Sequence, residues 1–498
     1  MTFDSWLPLL TLLSSLVPGI WIFALPEERS VLRTILNLTG ALAKVALVGL
    51  MMWGVYQEHQ YEFRIPMLPR LDLVLRADAL GLLFVSLSAI LWLLTTIYAI
   101  AYLEGSPYRS RFFGFFSLCV SATVGIALAG NLFTFVIFYE ILTLSTYPLV
   151  VHRGTPAALQ AGRVYLRYTL AGGALLLLAS VWLYGLVGPI EFDEGVSLAT
   201  LGDQSRGTLI AIFALLIAGL GVKAALVPLH GWLPVAMIAP APVSALLHAV
   251  AVVKAGAFGI VRVVYDVYGI RFSEQLGVTT PLAVLAGITI VYGSVRALFQ
   301  DDLKRRLAFS TVSQISFIVL GVAVIGPSST IGGIVHLVHQ GVMKITLFFC
   351  AGNMAETLGL HRISEMNGVA RRMPWTMAAF AVAAFGMIGV PPLAGFVSKW
   401  YLGVGAMEAS QPWVLVVLAT STLLNAAYLL PVLHVAWFKE PDGPWREEWR
   451  SGGPETRWAL LVPPLVTAVL SLGVGLLAGT PVSPLRWVTL IVERAYTP

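Results

Sequence analysis

The chain of 498 residues has few charged residues and almost no cysteine. Asp, Glu, Lys and Arg make up 11% of it and hydrophobic residues 58%, whereas about a quarter of a soluble protein is charged. No soluble core hides that much apolar surface, so the composition excludes an ordinary globular protein and predicts a polytopic membrane protein. The two cysteines, Cys119 and Cys350, form no disulfide, metal or cluster spacing. We therefore expect no cofactor and no metal site, and the net charge of +5 gives no support to a nucleic-acid partner.

Long apolar runs predict an all-α integral membrane fold of about fourteen transmembrane helices. The connecting segments are short, so residues 1–498 are predicted to form one membrane domain in contact with the lipid bilayer. The predicted spans are 6–26, 32–56, 77–103, 111–129, 132–151, 164–188, 208–228, 242–265, 276–299, 307–325, 329–355, 374–403, 413–438 and 457–479.

Basic residues are unevenly divided between the two sides of the predicted bundle. Loops after odd-numbered helices hold sixteen Lys and Arg, against seven in loops after even-numbered helices and the C-terminal tail. Positive charge marks the cytoplasmic side, so both termini are predicted to face outward from a bacterial inner membrane. The acidic stretch from Glu191 to Glu194 falls on the side poor in basic residues, in agreement.

Most lysines of this chain lie inside apolar spans, although lysine is normally a surface residue. Of seven lysines, five lie inside apolar spans, at a combined insertion cost of about 15 kcal/mol. A buried lysine can titrate near neutral pH, whereas arginine keeps its proton. We interpret Lys223, Lys254, Lys344 and Lys399 as proton carriers, and Lys44 as a structural or interfacial lysine.

The other proton-carrying side chains within apolar spans are a glutamate and three histidines. Glu140 is the only acid of the fifth span, and His248 lies six residues before Lys254. His336 and His339 lie on nearly one helix face of the eleventh span. Ionisable residues inside a membrane span usually mark ion pathways or proton relays, so these groups join the lysines as predicted proton-transfer residues.

Prolines beside two of the lysines predict interrupted helices. Pro228 follows Lys223 in the seventh span, and Pro391 and Pro392 precede Lys399 in the twelfth. Proline removes a helix hydrogen bond, and freed backbone groups at membrane depth survive only where they line protein or a wet cavity. A matched pair of broken helices indicates a transporter built from repeated halves.

The two interrupted spans are five apart, an odd number, so a repeat of five helices must be inverted in the membrane. Arg167 in span six and Lys344 in span eleven begin similar stretches, again five spans apart. The predicted architecture is helices 1–3 over 1–110, a first repeat of helices 4–8 over 111–265, a second repeat of helices 9–13 over 276–438, and a last helix over 457–479.

Several motifs carry a family resemblance across most of the chain. They are His230-Gly-Trp-Leu-Pro, the run from Ala239 to His248, Val253-Lys254-Ala-Gly, and Pro391-Pro-Leu-Ala-Gly-Phe-Val-Ser-Lys399. Together they resemble the antiporter-like proton-translocating subunits of respiratory complex I, related membrane hydrogenases and Mrp-type cation/proton antiporters. The details look most similar to the Mrp-type members, in particular the D-type subunits and the core of the A-type subunits.

The resemblance implies a role for each group. Glu140 would pair with Lys223, Lys254 would connect two half-channels, and Lys399 would serve the exit half. His248, His336 and Lys344 would lie along a central hydrated axis. Arg167, where relatives often have lysine, would be a fixed charge. The implied supporting residues are His230, Arg167, Pro228, Pro391 and Pro392.

The predicted function is proton translocation by one subunit of a hetero-oligomeric membrane complex, either a Mrp-type antiporter or a complex I-like NADH:quinone oxidoreductase. Other membrane subunits are the expected partners and protons the expected cargo. Sodium stays open as cargo, because hydroxyls such as those of Thr143 and Ser145 could serve a sodium site as well as helix packing. The alternatives are a stand-alone secondary transporter of a small solute or cation, and a membrane partner of an inorganic-carbon uptake complex. No catalytic redox site is predicted in this chain.

Overall fold

The protein is described by a computed structural model over residues 3–192, 198, 205–447 and 453–496. A 3-10 turn, Ala236–Ile238, follows the eighth helix, and a π-helical turn, Val263–Val267, continues the tenth. The helices of the first half are α1 (Phe3–Phe23), α2 (Ser30–Tyr56), α3 (Ala79–Tyr102), α4 (Arg109–Ala127), α5 (Leu132–Val150), α6 (Pro156–Val187), α7 (Arg206–Lys223), α8 (Trp232–Val235), α9 (Ala241–Ala249), α10 (Val252–Arg262) and α11 (Ile270–Gln275).

The second half is also helical, with one 3-10 turn, Ile363–Glu365, ahead of its fourth helix. Its helices are α12 (Thr279–Leu298), α13 (Leu303–Ala323), α14 (Pro327–Leu358), α15 (Val369–Arg372), α16 (Pro374–Ile388), α17 (Ala394–Glu408), α18 (Trp413–Phe438), α19 (Trp458–Leu476) and α20 (Pro484–Tyr496).

Thirteen segments in the described ranges are long and apolar enough to cross a membrane. They correspond to thirteen of the predicted spans. The remaining predicted span, the twelfth, is divided into α16 and α17, of 15 residues each. The predicted multi-pass membrane fold is therefore confirmed.

Both predicted interruptions are present. Helix α7 ends at Lys223 and α8 begins at Trp232; helix α16 ends at Ile388 and α17 begins at Ala394. The peptide bonds before Pro228 and Pro392 are cis. The eighth span has a further interruption, between α9 and α10, that was not predicted from the sequence.

The spanning segments are not equally enclosed. The most apolar stretch of each span is wholly buried within the chain in three segments, Ala241–Val267, Leu303–Ala323 and Pro327–Leu358. In α2, α6 and α18, about a third or less of that stretch is buried. The centre of the bundle is therefore formed by α9, α10, α13 and α14. This centre holds Lys254 and Lys344, so both lysines are enclosed by protein.

Neighbouring helices correspond between the two halves. Helix α4 packs on α5, α5 on α6, α6 on α7, and α10 on both α7 and α4. In the second half α12 packs on α13, α13 on α14, α14 on α17, and α18 on both α17 and α12. Such a correspondence is what the predicted repeats require. The repeats and their inversion stay predictions.

A β-hairpin occupies part of a segment that was predicted to be a loop. Strand β1 (Glu62–Leu68) pairs antiparallel with β2 (Leu71–Arg76). Arg64 donates to both carboxylate oxygens of Glu191, at 2.8 and 3.0 Å, and Arg76 donates to one at 2.8 Å. These hydrogen bonds, Arg64's first, lower the pKa of Glu191. They fasten the hairpin to the end of α6, while the rest of the acidic stretch, Asp193 and Glu194, lies outside the described residues.

The last helix in the described residues, α20, is amphipathic and was also not predicted. Its start carries a cap, since Ser483 Oγ accepts a hydrogen bond from the backbone N–H of Arg486 at 3.1 Å. The side chains that face the bundle are Leu485, Val488, Ile491 and Val492. Trp487 Nε1 donates to the carbonyl of Ala79 at 2.9 Å, which fixes α20 against the start of α3.

Candidate proton-transfer site

Lys223 is the last residue of α7 and is wholly buried. Its ammonium donates to the backbone carbonyl of Tyr139 and lies 3.3 Å from the centre of the Tyr139 ring. The carbonyl and the ring face stabilise the charge, the ring by a cation–π interaction. Glu140 is the next residue of α5, but no ion pair joins it to Lys223. The implied Glu140–Lys223 pair is therefore a pair of neighbouring groups in this structure.

Glu140 points toward α6, where a glycine makes room for it. A Cβ atom on Gly173 would overlap the Glu140 carboxyl. The carboxyl oxygen Oε1 is buried without a hydrogen-bond partner among the described residues. An unpaired buried oxygen costs about 1–3 kcal/mol, so the position of Glu140 is poor for stability and suited to a group that changes its protonation.

The end of α7 at membrane depth is held by an indole. Trp232 Nε1 donates at 2.7 Å to the carbonyl of Val222, one of the last carbonyls of the helix, which also accepts from the backbone N–H of Ala225 at 3.2 Å. Ala225, just after the helix, has φ of 55°, a left-handed conformation that turns the chain away from the helix axis. The motif that contains Trp232 therefore stabilises the break beside Lys223.

Lys254 lies next to this break because a glycine permits close approach. A Cβ on Gly256 of α10 would overlap the backbone N–H of Ala224, the residue after Lys223. Lys254 itself is wholly buried and donates to the carbonyl of Leu337 of α14 at 2.6 Å. Helix α10 thus lies between the end of α7, which Gly256 approaches, and the middle of α14, which Lys254 bonds.

From α14 the row continues to α17 through a histidine. His336 precedes Leu337, and its Nδ1 lies 2.8 Å from Ser398 Oγ. Lys399 follows Ser398. The structure therefore orders the groups Glu140, Lys223, Lys254, His336, Lys399. His336, rather than Lys344, is the member of the predicted central axis that links Lys254 to Lys399.

Lys399 reaches back across the break that precedes it. Its Nζ donates to the carbonyl of Ile388 at 2.7 Å and to Thr422 Oγ1 at 3.0 Å. Ile388 is the last residue of α16. The half-buried lysine therefore caps a helix C-terminus at membrane depth, where the helix dipole favours positive charge.

Lys344 and His248 form a branch of this row. Lys344 is buried and donates to Ser310 Oγ and to the carbonyl of Leu307 at 3.1 Å, both on α13. The His248 ring lies 4.6 Å from the ring of Phe348, one turn after Lys344. Lys344 is eight residues beyond His336, about 12 Å along α14. The branch therefore leads from the centre of the bundle toward the C-terminal end of α14.

Polar side-chain atoms without partners cluster in the same region. Each such atom costs free energy when dry, so in native proteins these groups usually contact water. In the described ranges they include both ring nitrogens of His248 and His339 and the side-chain amides of Gln314 and Gln340. The central helices thus carry a polar lining that fits a hydrated axis.

Three of the basic residues singled out from the sequence lie away from the row. Arg167 is exposed on the outer face of α6, so it does not face the row of buried lysines and histidines. His230 is half-buried, with its ring 5.0 Å from that of Tyr292. Lys44 is buried among the N-terminal helices, where it donates to Ser15 Oγ at 2.6 Å.

The two hydroxyls considered for sodium are occupied locally. Thr143 Oγ1 donates to the carbonyl of Tyr139 and Ser145 Oγ to that of Leu142, each at 3.3 Å within α5. Within the described part of the chain, no three His, Cys, Asp or Glu side chains converge on a point that could hold a metal ion. The arrangement is suited to proton transfer between lysines and histidines.

This fold, with a row of lysines and histidines through its centre, defines a multi-pass membrane protein of the ion-translocating class. The family model described as "NADH:quinone oxidoreductase/Mrp antiporter, TM" matches residues 129–425, more than half of the chain. The chain belongs to this family, as its motifs predicted.

Individual relatives include both redox and antiporter proteins. The chain is 37% identical over 416 residues to NADH-quinone oxidoreductase subunit N of Desulforudis audaxviator, with 81% of each chain covered. It is 28% identical to the D subunit of a Na(+)/H(+) antiporter of Bacillus subtilis, covering 85% of this chain and 83% of that protein. A chain in the structure of the Mrp complex from Dietzia sp. superposes over 100% of this chain and 98% of its own length, with a TM-score of 0.85 and 23% identity, which shows the shared fold.

Proposed function

We propose that this chain carries protons across a bacterial inner membrane as one subunit of a multisubunit complex. The observation that carries the proposal is the continuous row from Glu140 through Lys223, Lys254 and His336 to Lys399. Hydrogen bonds join Lys223 to Tyr139, Lys254 to Leu337 and His336 to Ser398, each a chain neighbour of the next or preceding member. Between Lys223 and Lys254 the contact is that of Gly256, two residues after Lys254, with Ala224. Lys223, Lys254 and His336 are wholly buried, and Glu140 and Lys399 are half-buried. The row therefore places proton-carrying groups across the bundle, where ionisable side chains are rare and usually mark ion pathways.

Other membrane subunits are the proposed partners. The relatives are named as subunits, and the structural neighbour lies within the Mrp complex. The proposed orientation has both termini outside, as the distribution of basic residues favours. The row is compatible with a Mrp-type antiporter and with a redox-driven complex. The energy source that drives proton movement must therefore be tested directly.

The test is charge deletion at two matched buried lysines in the complete complex. Lys254→Met interrupts the row, whereas Lys44→Met removes an equally buried charge from helices outside it. Proton movement into inverted vesicles is followed with a pH-sensitive dye, energised in one series by NADH and in another by a sodium gradient. We expect Lys254→Met to lose proton movement and Lys44→Met to keep it.

The energy source that drives wild-type vesicles identifies the type of complex. Full proton movement in correctly assembled Lys254→Met vesicles, with either energy source, would show that the row does not conduct. Assembly is checked by the amount of the chain that copurifies with its partner subunits.

A further inference from the structure

A polar cavity of about 560 Å³ lies at one end of the bundle, between the β-hairpin, the start of α3, the end of α10 and α20. Its rim includes the exposed residues Glu58, His59 and Arg494, and its floor includes the buried residues Arg262 and Ile334. We call this cavity the polar vestibule. It lies at the end of the bundle poor in basic loops, which is the proposed outer side.

The floor of the polar vestibule holds an ion triad around a buried arginine. Arg262 donates to both oxygens of Asp78, each at 2.7 Å, and to Asp266 at 2.8 Å. The Arg262 side chain is 4% exposed, while those of Asp78 and Asp266 are 37% and 20% exposed. The carboxylates therefore face the cavity with the guanidinium beneath them. The triad carries one net negative charge, which favours cations such as hydronium over anions in the vestibule.

A π-helical turn builds this floor. Asp266 lies within Val263–Val267, the π-helical continuation of α10. Such turns are rare and frequent at functional sites. The neighbouring Tyr265 hydroxyl contacts Thr330 Oγ1 of α14 and lies 3.3 Å from the hydroxyl of Tyr496 in α20. Three hydroxyls thus join the wall formed by α20 to the two central helices.

The vestibule ends close to Lys254. Arg262 is eight residues beyond Lys254 on α10, about 12 Å along the axis. Phe258 lies between them, one turn from each, with its ring 5.1 Å from the Arg262 guanidinium and 4.9 Å from the ring of Phe84. On α14, Ile334 of the floor is one turn from Leu337, whose carbonyl accepts from Lys254. Phe258 is therefore the residue of α10 that lies midway between the vestibule floor and the lysine.

We propose that the polar vestibule is the aqueous mouth through which a proton on Lys254 exchanges with the solution at this end of the bundle, and that Phe258 is its gate. When the ring moves aside, water reaches the ammonium, and the proton passes from Lys254 to that water and into the vestibule. The Asp78–Arg262–Asp266 triad supplies the field that retains the hydronium. This inference rests on the proposed function, because it assumes that Lys254 carries a proton.

The first test removes the Phe258 ring. In vesicles containing the complete complex, Phe258→Ala should dissipate an imposed pH gradient several-fold faster than wild type. Adding Lys254→Met to Phe258→Ala should remove the excess leak. The control is Phe116→Ala, an equally buried phenylalanine of α4, which should not leak. An assembled Phe258→Ala complex that leaks no faster than the Phe116→Ala control would overturn the gate.

A second test leaves the core intact. Ala495 lies in the wall of the polar vestibule, and Val482 is 91% exposed outside it, on the connection before α20. Each is replaced by cysteine and treated with a bulky, cationic, membrane-impermeant thiol reagent, added to the side on which Val482→Cys reacts. Both native cysteines are buried. Labelled Ala495→Cys should lose most of its proton movement, whereas labelled Val482→Cys should retain it.

The outcomes separate the two proposals. Fully labelled Ala495→Cys complexes that move protons at the unlabelled rate would refute the vestibule and leave proton translocation standing. Wild-type complexes that move no protons with either energy source would refute the proposed function itself.

Discussion

Lys399 is expected both to carry a proton and to cap the C-terminus of α16, and two substitutions separate these roles. Its Nζ donates to the carbonyl of Ile388, the last residue of α16, at 2.7 Å, and to Thr422 Oγ1 at 3.0 Å. A hydrogen bond from a charged group contributes about 1.5–3 kcal/mol. Lys399→Ala leaves the Ile388 carbonyl without this donor, so we expect it to lower the free energy of unfolding by about that amount.

Lys399→Arg keeps a charged donor on a side chain of similar length. It should retain most of the capping, because arginine also bonds the last carbonyls of a helix. Arginine cannot release its proton. We therefore expect Lys399→Arg to remain close to wild type in stability and to lose proton translocation, whereas Lys399→Ala should lose both.

Stability is measured by denaturation of the purified complex in detergent, and translocation by dye quenching in inverted vesicles. Thr422→Ala is the control for stability, because it removes one bond to Lys399 and leaves the charge in place. Translocation at the wild-type rate by Lys399→Arg would refute the role of Lys399 as a proton carrier. Equal destabilisation by the arginine and alanine substitutions would refute the capping role.

Two further predictions concern packing and pH. Gly256→Ala places a methyl group against the backbone of Ala224, so it should lower the free energy of unfolding by about 1–3 kcal/mol. Gly185 has open space around it, so Gly185→Ala should be neutral or slightly stabilising in the same denaturation assay. Hydrogen bonds from Arg64 lower the pKa of Glu191, so the stability they contribute is present near neutral pH and is lost as the pH falls through that lowered pKa. Glu191→Gln should melt below wild type at neutral pH, and the two melting temperatures should converge in acid; a constant difference would contradict this.

The sequence predicted the membrane fold and the two broken helices because those features depend on local signals. Runs of apolar residues indicate spans, and prolines beside a buried lysine mark both breaks, although Pro148, Pro431 and Pro463 lie inside unbroken helices. The lysines were equally visible, since their placement contradicts the usual preference of lysine for the surface. The interruption between α9 and α10 was missed because the run from Ala241 to Val267 contains no internal proline after its first turn.

The contacts between groups could not be predicted, because they depend on the crossing of distant helices. His336 lies between Lys254 and Lys399 only because α14 crosses both α10 and α17 at that turn. Arg167 faces away from the row because of the rotation of α6 about its own axis, which short motifs do not determine. Local signals for α20 were present: Ser483 before a proline, then apolar residues at helical spacing.

Each broken helix has a lysine beside its break, but only the ammonium of Lys399 bonds the helix end there. Lys223 is the last residue of α7, and Lys399 bonds the last carbonyl of α16. A helix C-terminus carries about half a negative charge, and in an unbroken span that end lies in the aqueous interface. Ending the helix early moves it to membrane depth, where little water screens it. The break before Lys399 therefore supplies a fixed partial charge that stabilises its ammonium without a carboxylate partner, whereas the ammonium of Lys223 bonds the carbonyl of Tyr139 on α5. A full carboxylate would hold the proton more tightly, so a helix end is the better partner for a lysine that must release it.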